Sequence, residues 1–249
     1  MKSHLFAILM TLGLVASAAA QQRQVPISVT RSEAREPARA ALQWAQFVGY
    51  INGLPESHRA GHVNLVVNGL RYVDDMQTSG VEDHWDTPLE FLERGAGDCE
   101  DFAIAKYFLL LESGVAPELV KLAFVFYTGD AKALGSALPQ PKRTHVVVLL
   151  SDHVGDRQPL VLDALPHVVP LTARDDLHLV FEFGADGGYV SAVSEKVAST
   201  RAIERMLENW NGVLDRMRGA GGTEATMLAR ASRGQALLLA QLAAPSRLR

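Results

Sequence analysis

The sequence predicts an α+β domain in which a central helix packs on an antiparallel sheet, followed by a C-terminal helical segment. The order of elements is the first reason, because helical periodicity dominates residues 37–114 and short β-branched and aromatic runs dominate residues 120–184. Helices followed by a run of strands are typical of α+β domains. The second reason is the run DCEDFAIAKYFLLLESG, residues 98–114, which is nearly all apolar after its first turn and therefore predicts a buried helix.

The first twenty residues are typical of a secretory signal peptide. Lys2 precedes an apolar run over residues 5–16, and three alanines at 18–20 match a small-residue cleavage site. The run is too short to cross a bilayer as a helix, which needs about twenty residues. We therefore expect an exported protein without membrane insertion, and a polar leader arm over residues 21–36.

Two amphipathic helices and a helix start are predicted before the central helix. The first stretch begins at Pro37 and ends before Pro55. Its apolar positions recur at spacings of three and four: Ala41, Trp44, Ala45, Val48 and Ile51. The second stretch runs from about Glu56 to Asp75, with the apolar positions Val63, Val66, Val67, Leu70 and Val73. Thr87-Pro88 then signals a further helix start.

Four short runs predict antiparallel strands, and a helical segment follows them. The strand runs are VKLAFVFYTG, THVVVLLSD, QPLVLDAL and HLVFEFG, each bounded by turn residues. These runs complete a domain over residues 37–195. In the segment 196–249 one apolar stripe recurs at helical spacing: Ile203, Met206, Leu207, Trp210, Val213, Leu214 and Met217. We expect this stripe to cover the core, and the last 25 or so residues to be a loosely attached helix or a tail.

Charge and cysteine content narrow the function classes. The formal net charge is −4, and lysines and arginines are scattered without a dense basic run, which excludes nucleic acid as the expected partner. Cys99 is the single cysteine, so the chain cannot form an internal disulfide. An unpaired thiol in an exported protein is a liability, and its presence indicates a chemical role.

Cys99 opens the predicted central helix, where unpaired N–H groups favour a thiolate. A catalytic thiol also needs a histidine base that is oriented by a carboxylate. His145 enters the apolar run VVVLL and Asp163 lies within the run PLVLDAL, so neighbouring antiparallel strands would bring them together. The sequence thus predicts a Cys99, His145 and Asp163 triad. The alternative is that the three residues never meet. Cys99 is then a buried thiol, His145 a strand histidine whose ring is hydrogen-bonded elsewhere, and Asp163 an aspartate near a turn.

Several of these blocks together resemble one protein family. DHWDTPLEFLERGAGDCEDFAIAKYFLL, THVVVLL, LVLDAL and ARDDLHLVFEFG are similar to the bacterial transglutaminase-like cysteine peptidases of the LapG type, over about residues 45–189. The resemblance implies a papain- or transglutaminase-like fold with Cys99 as nucleophile, His145 as general base and later acid, and Asp163 as the orienting group. One position departs from the pattern: the residue after the triad aspartate is commonly asparagine in the family and is Ala164 here.

The resemblance also implies a cofactor, a substrate and a partner. It implies a calcium-dependent periplasmic endopeptidase that releases a large biofilm adhesin by cutting it at an Ala-Ala site. The implied partner is the periplasmic domain of an inner-membrane cyclic-di-GMP receptor. Asp98 and Glu100, with Asp101, match the calcium ligands of the family.

The acidic cluster has a second interpretation that needs no metal. Asp98 can be the N-cap of the helix, with Asp101 reaching back as a variant capping box. Capping leaves Glu100 without a role and places negative charge beside a thiol that must ionise. A bound cation uses all three carboxylates and neutralises them, so the residues favour calcium.

Two other functions share part of this pattern. A transglutaminase or amidase would use the same acyl-thioester chemistry, and a non-catalytic binding module would keep the fold with Cys99 merely packed. For any acyl transfer, the Cys99 backbone N–H is one expected oxyanion donor. Trp85 or a nearby loop amide is the candidate for the second donor.

Overall fold

The structure is a computed structural model that describes residues 36–78, 80, 83–130, 143–153, 156, 158–185 and 200–243. All of these residues belong to one compact unit, Glu33–Arg249. The predicted signal peptide and nearly all of the predicted leader arm lie outside the described residues. No helix in the described ranges is both long and apolar enough to cross a membrane.

The chain alternates helices and short strands before the sheet and ends in two long helices. The helices are α1 (Glu36–Asn52), α2 (Glu56–Val67), α3 (Asp75–Thr78), α4 (Pro88–Arg94), α5 (Cys99–Glu112), α6 (Thr200–Ala220) and α7 (Gly222–Ala243). The strands are β1 (Arg71–Tyr72), β2 (Ala96–Gly97), β3 (Val120–Tyr127), β4 (Arg143–Leu150), β5 (Leu160–Leu162), β6 (Val169–Pro170) and β7 (Leu177–Phe183). Short 3-10 helices at Pro117–Leu119 and Leu171–Ala173 complete the order.

The main sheet has five strands in the order β6-β5-β4-β3-β7, and every pairing in it is antiparallel. The register pairs Val125 of β3 with His145 of β4, and Val148 of β4 with Leu162 of β5. A separate parallel pair joins β1 to β2. The four predicted strand runs become β3, β4, β5 and β7, so the predicted α+β class is confirmed.

Helix α5 is the centre of the molecule. It contacts β3 and β4 of the sheet and also the helices α2, α4 and α7. Residues 102–111 are all buried, as the apolar run predicts. A helix enclosed on all sides is rigidly placed, so its first residue, Cys99, is held in a fixed position at the edge of β4.

Helix α2 is shorter than the sequence predicts. It ends at Val67, and the chain then forms the β1 strand instead of continuing the helix to Asp75. The helix does not continue because Asn68 and Gly69 end it. The N–H groups of Arg71 and Val73 then donate to the carbonyls of Gly95 and Gly97 instead. In α1, the buried positions are Ala40, Trp44, Phe47 and Ile51, so Phe47 shifts the buried face by one residue from the prediction.

The C-terminal helices are attached to the core. In α6 the predicted stripe is buried at Met206, Trp210, Val213, Leu214 and Met217. The Trp210 ring lies 5.6–6.2 Å from the rings of Tyr107, Phe108 and Phe183. The start of α7 buries Met227, Leu228 and Ala231, and α7 contacts α5. The expectation of a loosely attached last helix is therefore wrong for these residues, because their apolar face completes the cover of α5.

Candidate active site

The turn before α5 fixes the position of Cys99. Asp98 and Asp101 form the capping box that the sequence suggests. Asp101 Oδ2 accepts from the Asp98 N–H at 3.2 Å, and Asp101 Oδ1 accepts from the Asp86 N–H at 2.7 Å. A Cβ at Gly97 would lie 2.2 Å from Asp101 Oδ2, so only glycine lets this carboxylate fold back over the turn.

The thiol of Cys99 is partly buried and is not ionised by its immediate neighbours. Its S–H donates to Glu100 Oε2 at 2.9 Å. Burial, followed by the charges of Glu100 and Asp98, raises the pKa of Cys99 well above its ordinary value, while the Val146 N–H opposes that rise. As it stands in this structure, the acidic cluster therefore keeps the thiol protonated.

The acidic cluster is larger than the sequence suggests. One carboxylate oxygen from each of Asp75, Asp98 and Asp101 lies within 4.8 Å of the others, and the same holds for Asp75, Asp83 and Glu100. Asp75 comes from α3 and accepts a hydrogen bond from the His84 N–H. Chain segments some 15–25 residues upstream thus bring two further carboxylates to the three that surround Cys99.

The carboxyls of this cluster are electrostatically frustrated. Burial, then neighbouring carboxylates, raises the pKa of Glu100 and of Asp101 well above their usual range. Burial also raises the pKa of Asp98, to about 7. Because the charged neighbours of Asp98, Glu100 and Asp101 are other carboxylates, which repel one another, the arrangement favours bound protons or a bound positive ion.

The cluster fits a hard cation. Asp98 Oδ1 is buried and has no hydrogen-bond partner among the described residues, whereas each oxygen of Asp101 accepts from one main-chain N–H, that of Asp98 or Asp86. Carboxylate oxygens are the ligands that Ca²⁺ prefers, and it takes six to eight of them with flexible geometry. Capping and metal binding are thus compatible here, since capping leaves Asp98 Oδ1 and the Glu100 carboxylate available.

His145 and Asp163 meet in the core, as predicted. The His145 Nε2–H donates to Asp163 Oδ1 at 2.8 Å, and the two side chains are 3 % and 1 % exposed. Asp163 lies directly after β5 and not within it. Continuing the β4–β5 register places Asp163 opposite Val147, so the bond to His145 is a diagonal contact between strands. The bond uses Nε2, which leaves Nδ1 as the nitrogen that can take a proton.

Several groups that the sequence analysis missed hold Asp163. Arg174 Nη1 donates to Asp163 Oδ2 at 2.9 Å. Lys106 Nζ donates to the Asp163 carbonyl at 2.6 Å, and Asn68 Nδ2 donates to the same carbonyl at 3.1 Å. Burial alone would raise the pKa of Asp163, but His145, Arg174 and Lys106 together hold it well below its usual range. Asp163 is therefore ionised throughout the neutral range.

The structure places Cys99 beside the strand that carries His145. The Val146 N–H, one residue along β4 from His145, points to the Cys99 sulfur. Within the described part of the chain, however, the sulfur is hydrogen-bonded to Glu100 and not to His145. The structure thus joins His145 to Asp163 directly and brings Cys99 next to them, with the thiol turned to the acidic cluster.

Trp85 does not supply a free indole donor in this arrangement. Its Nε1–H donates to Asp83 Oδ1 at 2.9 Å. Asn209 Nδ2 of α6 donates to Asp83 Oδ2 at 2.9 Å, so the Asp83–Trp85 loop is tied to the C-terminal helix. The Cys99 N–H, at the first position of α5, is one of the N–H groups that have no acceptor within the helix.

Comparison with known proteins supports the resemblance that the sequence predicts. The sequence model of the bacterial transglutaminase-like cysteine proteinases matches residues 55–170, just under half of the chain. The matched range contains Cys99, His145 and Asp163, and the predicted resemblance to this family is confirmed. Among curated proteins no sequence matches the chain.

Solved structures support the same assignment. Legionella pneumophila LapG is 25% identical, with a TM-score of 0.55, over 74% of this chain and 90% of that chain. EGTA-treated Legionella LapG is 26% identical with a TM-score of 0.56, and it covers the same shares. Calcium-bound Legionella LapG is 25% identical with a TM-score of 0.55, over 74% of this chain and 92% of that one. The proteinase fold of this chain is therefore LapG-like.

Proposed function

We propose that this protein is a calcium-dependent cysteine endopeptidase that uses Cys99, His145 and Asp163. One observation carries the proposal: a buried hydrogen bond joins Asp163 to His145 of β4, the strand against which the chain's single cysteine begins a helix. Burying a carboxylate is costly unless its partners compensate for the lost water. His145 is one residue from Val146, whose N–H points to the Cys99 sulfur, and this position suits a base for the thiol.

The chemistry follows from the positions of the atoms. Asp163 orients the His145 ring through Nε2, so Nδ1 accepts the proton of the Cys99 thiol. The thiolate attacks a peptide carbonyl, and the N–H groups at the start of α5 stabilise the negative oxygen. His145 returns the proton to the leaving amine, and water then releases the acyl group from the thioester.

We propose calcium as the ion of the acidic cluster, held by Asp98, Glu100 and Asp101 together with Asp75 and Asp83. Bound there, it would neutralise the carboxylates that now raise the pKa of Cys99. The partnerless Asp98 Oδ1 supports this assignment. So does the existence of Legionella LapG in a calcium-bound form. Glu100, once engaged by a cation, would release the thiol to turn to His145.

The substrate, location and partner are proposed from the family resemblance. We propose that the protein acts in the periplasm on a large cell-surface adhesin, cutting its N-terminal region at an Ala-Ala site and so promoting biofilm dispersal. We also propose that the periplasmic domain of an inner-membrane cyclic-di-GMP receptor binds the enzyme in an inactive complex. A pull-down with the receptor from the same organism tests the partner: absence of binding would remove the regulatory proposal and leave the peptidase.

Product mass separates hydrolysis from acyl transfer to an amine. The purified protein in calcium is incubated with an adhesin fragment that contains an Ala-Ala site, and in parallel with a glutamine substrate and an amine donor. We expect two peptides whose masses sum to that of the fragment plus one water, and no amine adduct. Cys99→Ala should yield neither product. An amine adduct would indicate a transglutaminase, and cleavage by folded Cys99→Ala would exclude the thiol mechanism.

A further inference from the structure

The two carboxylate oxygens of Asp163 have different partners. Oδ1 accepts from His145 Nε2 at 2.8 Å, and Oδ2 accepts from Arg174 Nη1 at 2.9 Å. We propose that Arg174 is a positioning residue that keeps Asp163 ionised and aims Oδ1 at His145. This inference rests on the proposed triad, but it adds Arg174, a residue to which the sequence analysis assigned no role.

The guanidinium is itself held in one orientation. Arg174 Nε and Nη2 donate to the two carboxylate oxygens of Asp176 at 2.8 and 3.0 Å. This fork leaves Nη1 directed at Asp163. Arg174 is 8 % exposed and lies at the end of the 3-10 helix Leu171–Ala173, so backbone and side chain are both fixed. A planar donor set in a fixed fork suits orienting a carboxylate, which a flexible ammonium does less well.

Arg174 is one of three groups that hold down the pKa of Asp163. The others are His145 on β4, whose effect is larger, and Lys106 on α5, while Asp176 and Tyr127 act at longer range. Lys106 binds the main-chain carbonyl and not the carboxylate, and burial lowers its pKa to about 7. Arg174 is the group whose donor contacts Oδ2, so its loss removes this hydrogen bond and raises the pKa of the buried carboxyl.

A purely structural role predicts something different. If Arg174 only tied residues 163–176 together, its loss would reduce activity equally at every pH. If it keeps Asp163 ionised, its loss moves the acid limb of the pH profile to higher pH, because protonated Asp163 no longer supports the imidazolium that pairs with the thiolate. Whether the acid limb moves to higher pH therefore decides between the two roles.

The test compares the full chain with Arg174→Gln, Arg174→Lys and Arg218→Gln, a matched control that removes an exposed arginine paired with Asp215 on α6. The rate of Cys99 alkylation by iodoacetamide is measured from pH 4 to 9 in calcium, alongside kcat/KM on the adhesin fragment. We expect Arg174→Gln to move the acid limb to higher pH by roughly one to three units. The rate on the acid side should fall about tenfold for each unit. Arg174→Lys should restore the limb, and Arg218→Gln should leave it unchanged.

An unshifted limb in folded Arg174→Gln, with a loss that is uniform in pH, would overturn the proposal. If Arg174→Gln does not fold, Arg174→Lys decides: a limb displaced by a full unit or more would contradict a role based on charge. Failure of the proposed function looks different, because the wild-type thiol would then be alkylated with the pH dependence of an ordinary cysteine. Alkylation needs no substrate, so the two failures are distinguishable.

Discussion

At the scale of single residues, the site contains two buried acidic environments with opposite electrostatics. Asp163 is surrounded by His145, Arg174 and Lys106, and its pKa is low. Glu100 is surrounded by other carboxylates, and its pKa is high. The first environment is neutralised by the protein itself. The second is not, and it adjoins the thiol that must ionise in the proposed mechanism, which is why we propose a cation there.

Mutations of the proposed base, His145, and of its orienting partner, Asp163, should lower activity by different amounts. We predict that His145→Ala lowers kcat by roughly 10⁴-fold or more, because it removes the proposed base and leaves Glu100, which the proposed cation would engage, as the hydrogen-bond partner of the thiol. Asp163→Ala should be less severe, since the ring stays in place without its orienter. Stopped assays on the adhesin fragment measure both, with thermal unfolding as the check on folding. Activity within tenfold of wild type in folded His145→Ala would contradict the assignment.

The acidic cluster makes its own prediction. Asp98→Ala and Glu100→Ala should reproduce the effect of EGTA, because each removes an oxygen ligand and with it the neutralising ion. Calcium should restore the chelated wild type better than magnesium does, and it should not restore the variants at the same concentration. Glu204→Ala, an exposed glutamate of α6, is the control. Full activity in EGTA with metal-free buffer would leave capping as the sole role of the cluster.

The sequence predicts residues whose local context is unusual, and it misses those whose partners come from elsewhere in the chain. Cys99 is unique and begins an apolar helix, while His145 and Asp163 interrupt apolar strand runs. Arg174 stands in a polar loop, and its hydrogen bond to Asp163 joins two loops that the sheet brings together. Asp75 and Asp83 likewise reach the cluster only through the fold.

At the scale of elements, α5 carries both the proposed nucleophile and a buried lysine. Lys106 lies seven residues after Cys99, so both are on similar sides of the helix, and its Nζ reaches the Asp163 carbonyl. The sequence analysis gave no role to this lysine, although it interrupts the apolar run AIAKYFLLL. The helix thereby links the two halves of the site, because its first residue carries the thiol and its middle holds the orienting aspartate.

Lys106 predicts how stability depends on pH. Burial lowers its pKa to about 7 in the fold, while the unfolded chain has the ordinary value near 10.5. Between these values the unfolded state binds the extra proton, so this residue makes stability rise with pH from about 7 to about 10, by at most about 1.4 kcal/mol per unit. Lys106→Met removes this dependence.

Urea unfolding at pH 7, 8, 9 and 10 measures the effect. The stability of wild type minus that of Lys106→Met should increase across the series. Lys121→Met, the same substitution at a partly exposed lysine of β3, is the matched control and should show no such increase. A difference that is constant or falls with pH would mean that burial does not lower the pKa of Lys106, which would then stay charged in the folded protein across this range.

Local patterns located the strands better than the helix ends. β-branched runs bounded by turn residues identify β3, β4, β5 and β7, because alternation and turn chemistry are local properties. The end of α2 depends on main-chain bonds from Arg71 and Val73 to residues 95–97, which the sequence pattern does not show. The two-residue strands β1 and β2 are too short to leave a pattern.

At the scale of the whole molecule, the C-terminal helices belong to the peptidase domain. Arg216 of α6 donates to Glu90 at 3.2 Å and to the Trp85 carbonyl, and Glu224 of α7 accepts from the Leu89 N–H at 3.1 Å. These contacts hold α4 and the Asp83–Trp85 loop, which borders the acidic cluster. The helices α6 and α7 thus hold in place the loop and the helix α4 that lie beside the candidate site.

Trp210 tests that view. We predict that Trp210→Ala lowers the free energy of unfolding by about 3–5 kcal/mol, the usual loss for a buried tryptophan. Arg205→Ala, at an exposed position of the same helix, should change it by less than about 0.5 kcal/mol. Chemical denaturation measures both. A loss below about 1 kcal/mol for Trp210→Ala would show that α6 is only loosely attached.

The central claim is that Cys99 is a nucleophile activated by His145 and by a cation in the acidic cluster. The most direct measurement is the rate of Cys99 alkylation by iodoacetamide against pH, for wild type in calcium, wild type in EGTA, and His145→Ala in calcium. The account predicts rapid alkylation below pH 7 for wild type in calcium, and slow alkylation that requires alkaline pH in the other two. Alkylation with the same alkaline pH dependence in all three would contradict it.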